Sequence, residues 1–358
     1  MASRAVSSLL SPGRRFATTL RTALACVALA TLPAAAGLIP SAAPAIAPRV
    51  DEKQYEQLVQ ATNAVVGIKV KAIANARSNE TLGVERTGSG VLIPKDGLVL
   101  TIGYLILEAD QVEVIDGDGQ SIPAAVVAYD HATGLGLVRP LAPLSAKPIK
   151  IGTADPVSQL DRLMIVTGGS EQAISIATVV SRRKFAGYWE YLIDGAIFTS
   201  PPRLDHSGAA LINTKGELVG IGSLFVMDAL TPGERLPGNM FVPVDLLKPI
   251  LDDMVRTGSQ AHSQRPWLGV NSLEEDGRIK VMQVNDESPA DKAGIAAGDI
   301  ILRVNGEAVA NLEDFYKRLW TGTPGTEYRI TVLHGVDVRE VLVRSMDRKE
   351  YVRRKPTV

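Results

Sequence analysis

Few side chains in this sequence belong to the types that attack a bond, transfer a proton or bind a metal. The 358 residues include four histidines and one cysteine. A structural zinc site uses about four such ligands, so neither a metal site nor a cofactor is expected. His206 and Ser207 place a base beside a nucleophile, but neighbouring side chains of an extended loop diverge. Hydrolysis by Ser207 would therefore need a base and an orienting acid from elsewhere in the chain.

The remaining histidines and two nearby carboxylates have no evident catalytic partner. His131 follows a predicted strand, His262 stands in a polar stretch, and His334 precedes a glycine in a predicted turn. Asp130 and Asp194 also fall where a strand or loop ends. We predict structural or solvent-exposed roles for all five.

Composition narrows the class of protein. Lys and Arg total 38 against 39 Asp and Glu, so the charge balance does not favour nucleic-acid binding. Hydrophobic residues make up 46% of the chain and charged residues 22%, which is typical of packed cores. The length suits two domains rather than one.

The first 47 residues have the pattern of an export signal. They contain four arginines and no acidic residue, followed by an apolar run over 23–32 and an alanine-rich stretch. The apolar run is short for a membrane span, which needs about 20 residues. We predict a cleaved signal peptide and a periplasmic or secreted protein; the alternative is an uncleaved anchor in the inner membrane. Its removal takes away the single cysteine, Cys26.

Most of the remaining chain alternates apolar and polar residues with a period of two, which predicts strands. Lys95-Asp96-Gly97 and Thr214-Lys215-Gly216 separate such runs and predict hairpins. Many short strands at this spacing predict a sandwich or a pair of barrels over residues 51–257. A helix is predicted at the start, over 51–62, and another at the end, over 244–257.

A polar stretch over 258–266 predicts a linker to a second domain over 267–346. Asn305-Gly306 predicts a tight hairpin. Residues 311–320 predict an amphipathic helix whose apolar face carries Leu312, Phe315, Tyr316 and Leu319. Residues 347–358 are basic and predict a solvated tail.

Several segments, in this order, resemble the HtrA/DegP-type secreted serine proteases. Residues 88–101 resemble the segment that leads to the catalytic histidine of that family, and Ser207-Gly208 with the strands after it resembles its nucleophile loop. Trp267-Leu268-Gly269-Val270, residues 288–294 and residues 297–306 resemble a bacterial PDZ domain. The resemblance implies a mainly β protein with a trypsin-like double β-barrel, each barrel of six strands, followed by one PDZ domain.

The catalytic positions depart from that family. Aligned without gaps, the family histidine falls on Tyr104 and the family aspartate on Gly134, while Ser207 keeps the nucleophile position. A phenol with a pKa near 10 is a poor general base at neutral pH. The residue two before the nucleophile, commonly a glycine in the family, is Asp205, and its carboxylate disfavours a developing negative charge. We therefore expect little or no proteolysis.

The predicted PDZ domain retains what peptide binding needs. Such a domain adds a peptide C-terminus as an extra strand and holds its carboxylate with backbone N–H groups. Trp267, Leu268, Gly269 and Val270 would supply those groups, and the helix would offer Leu312 with Phe315 or Tyr316 to a side-chain pocket. In the alternative interpretation these apolar helix residues only fill the core, and Trp267 covers the contact between the barrel and the PDZ domain.

Three functional hypotheses follow. The first is a pseudoprotease that binds unfolded or envelope proteins through its PDZ domain in protein quality control. The second is an active endopeptidase that uses Ser207 with an unusual base. The third is a regulatory subunit that joins active HtrA-like protomers, since the resemblance implies trimers.

Overall fold

The computed structural model describes residues 52–169, 171–258 and 265–352. The predicted signal segment over 1–47, His262 and the end of the basic tail lie outside the described residues. Within the described ranges, no helix combines the length and the apolar character that a membrane span requires.

The first barrel begins after helix α1 (Glu52–Asn63) and closes from six antiparallel strands. Their order around the barrel is β1-β2-β3-β6-β5-β4, and β4 pairs with β1 to complete it. A short helix, α2 (Asn79–Leu82), precedes β2, and α3 (Gly103–Ile106) follows β3. The strands are β1 (Val65–Ala72), β2 (Glu85–Leu92), β3 (Val99–Ile102), β4 (Ala109–Ile115), β5 (Ser121–Tyr129) and β6 (Leu135–Pro140).

The second barrel contains seven strands in the order β11-β8-β9-β10-β13-β12-β7. Because β11 also pairs with β12, six of the strands form a closed ring, and β7 is added in parallel to β12. Both predicted hairpins are confirmed: β2 pairs with β3, and β11 with β12. The strands are β7 (Lys150–Ile151), β8 (Arg162–Val166), β9 (Ile174–Gly187), β10 (Tyr191–Ser200), β11 (Ala210–Ile212), β12 (Glu217–Val226) and β13 (Gly238–Pro243).

The helix predicted over 244–257 is wrong in its first half. A 3-10 turn covers Val244–Leu246, and the α-helix α4 spans only Leu251–Thr257. Pro249 lies between them and accounts for the interruption, because proline has no N–H to donate and disfavours helical backbone in the residue before it.

A third sheet follows, with helix α6 (Leu312–Leu319) packed on it and its strands in the order β15-β16-β17-β19-β20. Asn305 and Gly306 both have positive φ and form the predicted tight turn between β17 and β18. Asn311 caps α6 by accepting a hydrogen bond from the backbone N–H of Asp314. The elements are β15 (Val270–Glu275), β16 (Arg278–Val284), α5 (Pro289–Lys292), β17 (Ile300–Val304), β18 (Glu307–Ala308), β19 (Glu327–His334) and β20 (Asp337–Arg344).

The ends of this region differ from the prediction. Pro266, assigned to the linker, forms strand β14 (Pro266–Trp267) with β21 (Met346–Asp347). The predicted solvated tail begins instead as helix α7 (Arg348–Tyr351), and the ring of Tyr351 packs 4.5 Å from that of Trp267, centre to centre. The tilted ring contact and the pairing of β14 with β21 hold Trp267 and Tyr351 together, which the basic composition alone does not indicate.

Candidate functional site

Ser207 is hydrogen-bonded to a tyrosine. The phenol oxygen of Tyr104, on α3, lies 2.7 Å from Oγ of Ser207 and 2.8 Å from the carbonyl oxygen of Ser223. A carbonyl only accepts, so the single phenol proton is donated to Ser223 and the Ser207 hydroxyl donates to the phenol oxygen. The tyrosine therefore stands at the distance from the nucleophile that a catalytic base would occupy.

The chemistry of Tyr104 opposes that role. Burial raises the pKa of the Tyr104 phenol to about 12, and the hydrogen bond with Ser207 only partly offsets this. A group with this pKa is almost entirely protonated at neutral pH and cannot take up the serine proton.

The space beside Gly134 is filled by another side chain. Gly134 has φ +73, and a Cβ at this position would lie 2.8 Å from the hydroxyl of Tyr191. That hydroxyl donates to the carbonyl of Thr133 at 2.8 Å, which fixes it in place. The backbone of Gly134 is close to α3, since its carbonyl accepts from the N–H of Gly103. An aspartate at this point would therefore need the hydroxyl of Tyr191 to move.

The loop before Ser207 is held by contacts among its own residues and with Asn239. Nδ1 of His206 lies 3.1 Å from the carbonyl of Arg203 and donates to it, and within the described residues no hydrogen bond joins the ring to Ser207. Burial lowers the pKa of His206. Asp205 forms an ion pair with Arg203. The side-chain amide of the buried Asn239 accepts from the N–H of Arg203 and donates to its carbonyl. Although burial opposes it, the contacts with Arg203 keep the pKa of Asp205 below its ordinary value.

A buried arginine positions the helix that carries Tyr104. Arg86 on β2 is 5% exposed, and its guanidinium donates to the carbonyls of Tyr104, Leu107 and Gly83 and to Oγ of Ser78. Because α3 has only four residues, its last carbonyls lack partners within the helix. Arg86 supplies donors to them and so fixes the phenol relative to Ser207.

The other candidates of the sequence lie away from Ser207. Asp130 is buried and accepts from the N–H and Oγ of Thr133. Asp194 is part of β10, and Nδ1 of His334 donates to the carboxylate of Asp299 at 2.6 Å. His131 packs on Tyr129 and lines a small cavity between the first barrel and the third sheet.

The residues predicted to bind a peptide separate into two groups. Leu312, Phe315 and Leu319 are buried in the core of the third sheet, which agrees with the core interpretation rather than with an open pocket. Tyr316 is buried too, but its hydroxyl donates to the carbonyl of Gly187, at the end of β9. Trp267 packs on Tyr351, and in the described residues its backbone N–H donates to no carboxylate.

The other three predicted residues bind a carboxylate that belongs to the same chain. The N–H groups of Leu268, Gly269 and Val270 donate to the side chain of Glu190 at 2.7–3.1 Å. Gly269 is required there, because it has φ +88 and a Cβ would lie 2.3 Å from the Cβ of Ser288. Glu190 is 6% exposed and stands in the turn between β9 and β10.

Comparisons with known proteins agree with this architecture. The family model for the trypsin-like peptidase domain matches residues 88–221, and that for the PDZ domain matches residues 266–344. The serine endoprotease DegS of Haemophilus influenzae is 30% identical over 294 residues, covering 76% of this chain and 81% of the relative. The chain belongs to the HtrA family of trypsin-like serine proteases with a C-terminal PDZ domain. The mainly β fold with a trypsin-like double barrel and a PDZ domain is confirmed.

Other HtrA proteins are similar at greater distance. A DegP-like periplasmic serine endoprotease of Brucella suis is 28% identical over 72% of this chain, and the chain spans 52% of that relative. Among solved structures, the HtrA-type protease AlgW with a decapeptide has a TM-score of 0.51 at 19% identity, covering 85% of this chain and 99% of that one. This last likeness concerns the fold.

Sequence reasoning missed Glu190, Tyr191 and Arg86. Glu190 and Tyr191 act on residues far along the chain: Glu190 contacts a loop 78 to 80 positions later, and Tyr191 contacts Thr133, 58 positions earlier. Arg86 contacts Tyr104, 18 positions later. No local motif marks such partners. One signal was available for Glu190, since it occupies the last position of a three-residue hairpin loop, where glycine is favoured.

Proposed function

We propose that this HtrA-family protein is a pseudoprotease that binds unfolded or envelope polypeptides without cleaving them. The observation that carries the proposal is the hydrogen bond between Tyr104 and Ser207. A serine hydrolase needs a base that accepts the serine proton and an acid that orients the base. Tyr104 takes the position of the family histidine in this proposal, and Gly134 that of the family aspartate.

Two further features support an inactive centre. The phenol of Tyr104 has a pKa raised to about 12 by burial, so the base is absent at neutral pH. The loop before the nucleophile carries the ionised Asp205, which opposes an oxyanion nearby. The intact Ser207 by itself does not supply hydrolysis.

Peptide binding is supported by the PDZ domain. The N–H groups of Leu268, Gly269 and Val270 already hold a carboxylate, so their geometry suits the free C-terminus of a polypeptide. A structural neighbour, AlgW, was solved with a decapeptide. We propose that this chain also binds peptides. Its ligands would be the C-termini of unfolded proteins, and its process protein quality control.

Location and assembly are part of the same proposal. Relatives described as periplasmic, together with the export pattern over 1–47, support a place in the periplasm, either released or held at the inner membrane. Association with HtrA-like protomers, as a homotrimer or as a regulatory subunit, stays a prediction.

The test is proteolysis by the purified full-length protein. Casein is incubated with the wild type and with Ser207→Ala, and a fluorophosphonate probe reports on activated serines in both. We expect no cleavage and no labelling above the Ser207→Ala background. Cleavage or labelling that is lost in Ser207→Ala would show that a base activates the serine, and the proposal would be wrong.

A further inference from the structure

The PDZ groove of this protein already contains a ligand, and that ligand is a turn of the second barrel. We propose that the hairpin loop formed by residues 188–190, called the plug, is an intramolecular mimic of a peptide C-terminus and competes with external C-termini for the groove. The inference rests on the proposed peptide binding, and it adds the control of that site.

The carboxylate of the plug is bound as a terminal carboxylate would be. Oε1 of Glu190 accepts from Leu268 at 3.1 Å, from Gly269 at 2.7 Å and from Val270 at 3.1 Å, and Oε2 accepts a second bond from Leu268. Three consecutive backbone N–H groups form a concave anion site. The plug fills this site, so an external carboxylate cannot enter while it is docked.

The backbone of the plug also follows the strand-addition mode of peptide recognition. The N–H of Ser272, on β15, donates to the carbonyl of Tyr188 at 2.8 Å. On the opposite side, the hydroxyl of Tyr316 on α6 donates to the carbonyl of Gly187 at 2.7 Å and accepts from the N–H of Glu190 at 3.2 Å. The segment therefore lies between the strand and the helix that flank a PDZ groove.

The residue type at position 190 points to a role for its side chain. Glu190 has φ +54, a left-handed conformation that is less favourable for a residue with a Cβ than for glycine. Glycine would fit this three-residue loop without strain. The carboxylate contacts offset a backbone penalty that the turn itself does not require.

Additional contacts hold the plug and its hairpin in place. Lys184 on β9 forms an ion pair with Glu313 on α6 at 2.9 Å, and Arg348 donates to the carbonyl of Trp189 at 3.3 Å. Ala186 and Leu192 pack against the core of the PDZ domain. These contacts are few and lie mostly at the surface, which suits an element that can be displaced by a competing ligand.

The test compares peptide capture by the full-length wild type, Glu190→Gln and Glu190→Gly. Glu190→Gln is isosteric, but its NH₂ group cannot accept a hydrogen bond from the N–H donors that face it, whereas both oxygens of a protonated carboxyl keep acceptor capacity. Glu190→Gly is compatible with the positive φ, so it is expected to fold. Glu234→Gln, at an exposed site on another loop, is the matched control for loss of one negative charge. The probes are a pool of random octapeptides with free C-terminal carboxylates and the same pool with C-terminal amides.

We expect both Glu190 variants to bind the enriched carboxylate peptides at least about tenfold more tightly than the wild type and Glu234→Gln, because removal of the plug raises the open fraction of the groove. The amidated pool should not be retained by any variant. Equal affinity in the wild type and both Glu190 variants would overturn the competition while leaving peptide binding intact. Retention of the amidated pool would place binding outside the carboxylate site and also overturn it. Failure of every variant to retain carboxylate peptides would contradict the proposed function itself.

Discussion

The phenol oxygen of Tyr104 and Oγ of Ser207 lie 2.7 Å apart although the two residues are separated by 103 positions in the sequence. The phenol passes its own proton to the carbonyl of Ser223, so the serine hydroxyl is a donor to an oxygen that has no tendency to remove its proton. This pair gives the centre the spacing of a nucleophile and its base, and the proposed lack of proteolysis rests on the phenol keeping its proton.

We predict that Tyr104→Phe lowers the free energy of unfolding by about 1–3 kcal/mol, because the Ser223 carbonyl and the Ser207 hydroxyl lose a partner inside the protein. Urea unfolding measures the change. Tyr55→Phe is the control, since Tyr55 is 63% exposed and should give little effect. Equal stability of the two variants would contradict a structural role for the phenol hydroxyl.

Gly134→Asp should fail to restore an orienting acid. The new side chain would meet the hydroxyl of Tyr191, and overpacking of this kind costs about 1–3 kcal/mol beyond the backbone strain. Gly97→Asp provides the comparison, because Gly97 has a similar φ of +66 with open space around it. Thermal unfolding should rank Gly134→Asp clearly below Gly97→Asp; the reverse order would show that position 134 accommodates a carboxylate.

Arg86→Lys should destabilise the first barrel by about 1.5–3 kcal/mol, because an ammonium cannot reach the several acceptors that the guanidinium contacts. Arg139→Lys, at an exposed position of β6, should change stability by less than about 0.5 kcal/mol. Denaturant midpoints measure the stability of both variants. Unchanged stability of Arg86→Lys would mean that α3 holds Tyr104 without this contact.

Docking of the plug should weaken as the pH rises. Burial raises the pKa of Glu190 from 4.5 to about 7, although the N–H groups of the PDZ loop and Arg348 act in the opposite direction. The docked form therefore binds the proton more tightly than the open form, and its advantage is lost as the pH rises from about 4.5 through about 7. Charged or titratable groups around Glu190 are Tyr316, Arg348, His131, Arg265 and Asp347.

Among these neighbours, His131 should not contribute to a change in affinity near neutral pH, because burial lowers its pKa well below 6.5. The affinity for a carboxylate peptide, measured by fluorescence anisotropy, should increase by about tenfold or more between pH 5 and pH 8 in the wild type. In Glu190→Gln it should stay nearly constant. A wild-type affinity that falls over this range would contradict the sign of the linkage.

The sequence by itself determined the fold class and the order of the domains. Period-two runs, the turns at Lys95–Gly97 and Asn305-Gly306, and the apolar face of the helix with Phe315 depend on neighbours a few positions away, so they can be identified locally. The residues at 104, 134 and 207 followed from the resemblance to HtrA proteases. The break at Pro249 also had a local cause that the apolar spacing concealed.

Only the tertiary structure decided what these residues contact. Ser207 is the donor in its hydrogen bond with Tyr104 because the phenol donates its own proton to the Ser223 carbonyl, which the barrel brings within 2.8 Å of Tyr104. The loop at 268–270 was expected to bind the carboxylate of a peptide C-terminus, and in the structure its N–H groups contact Glu190, which comes from the other domain. Such pairings arise from the packing of distant elements, and the amino-acid types on either side carry no local signal of the partner.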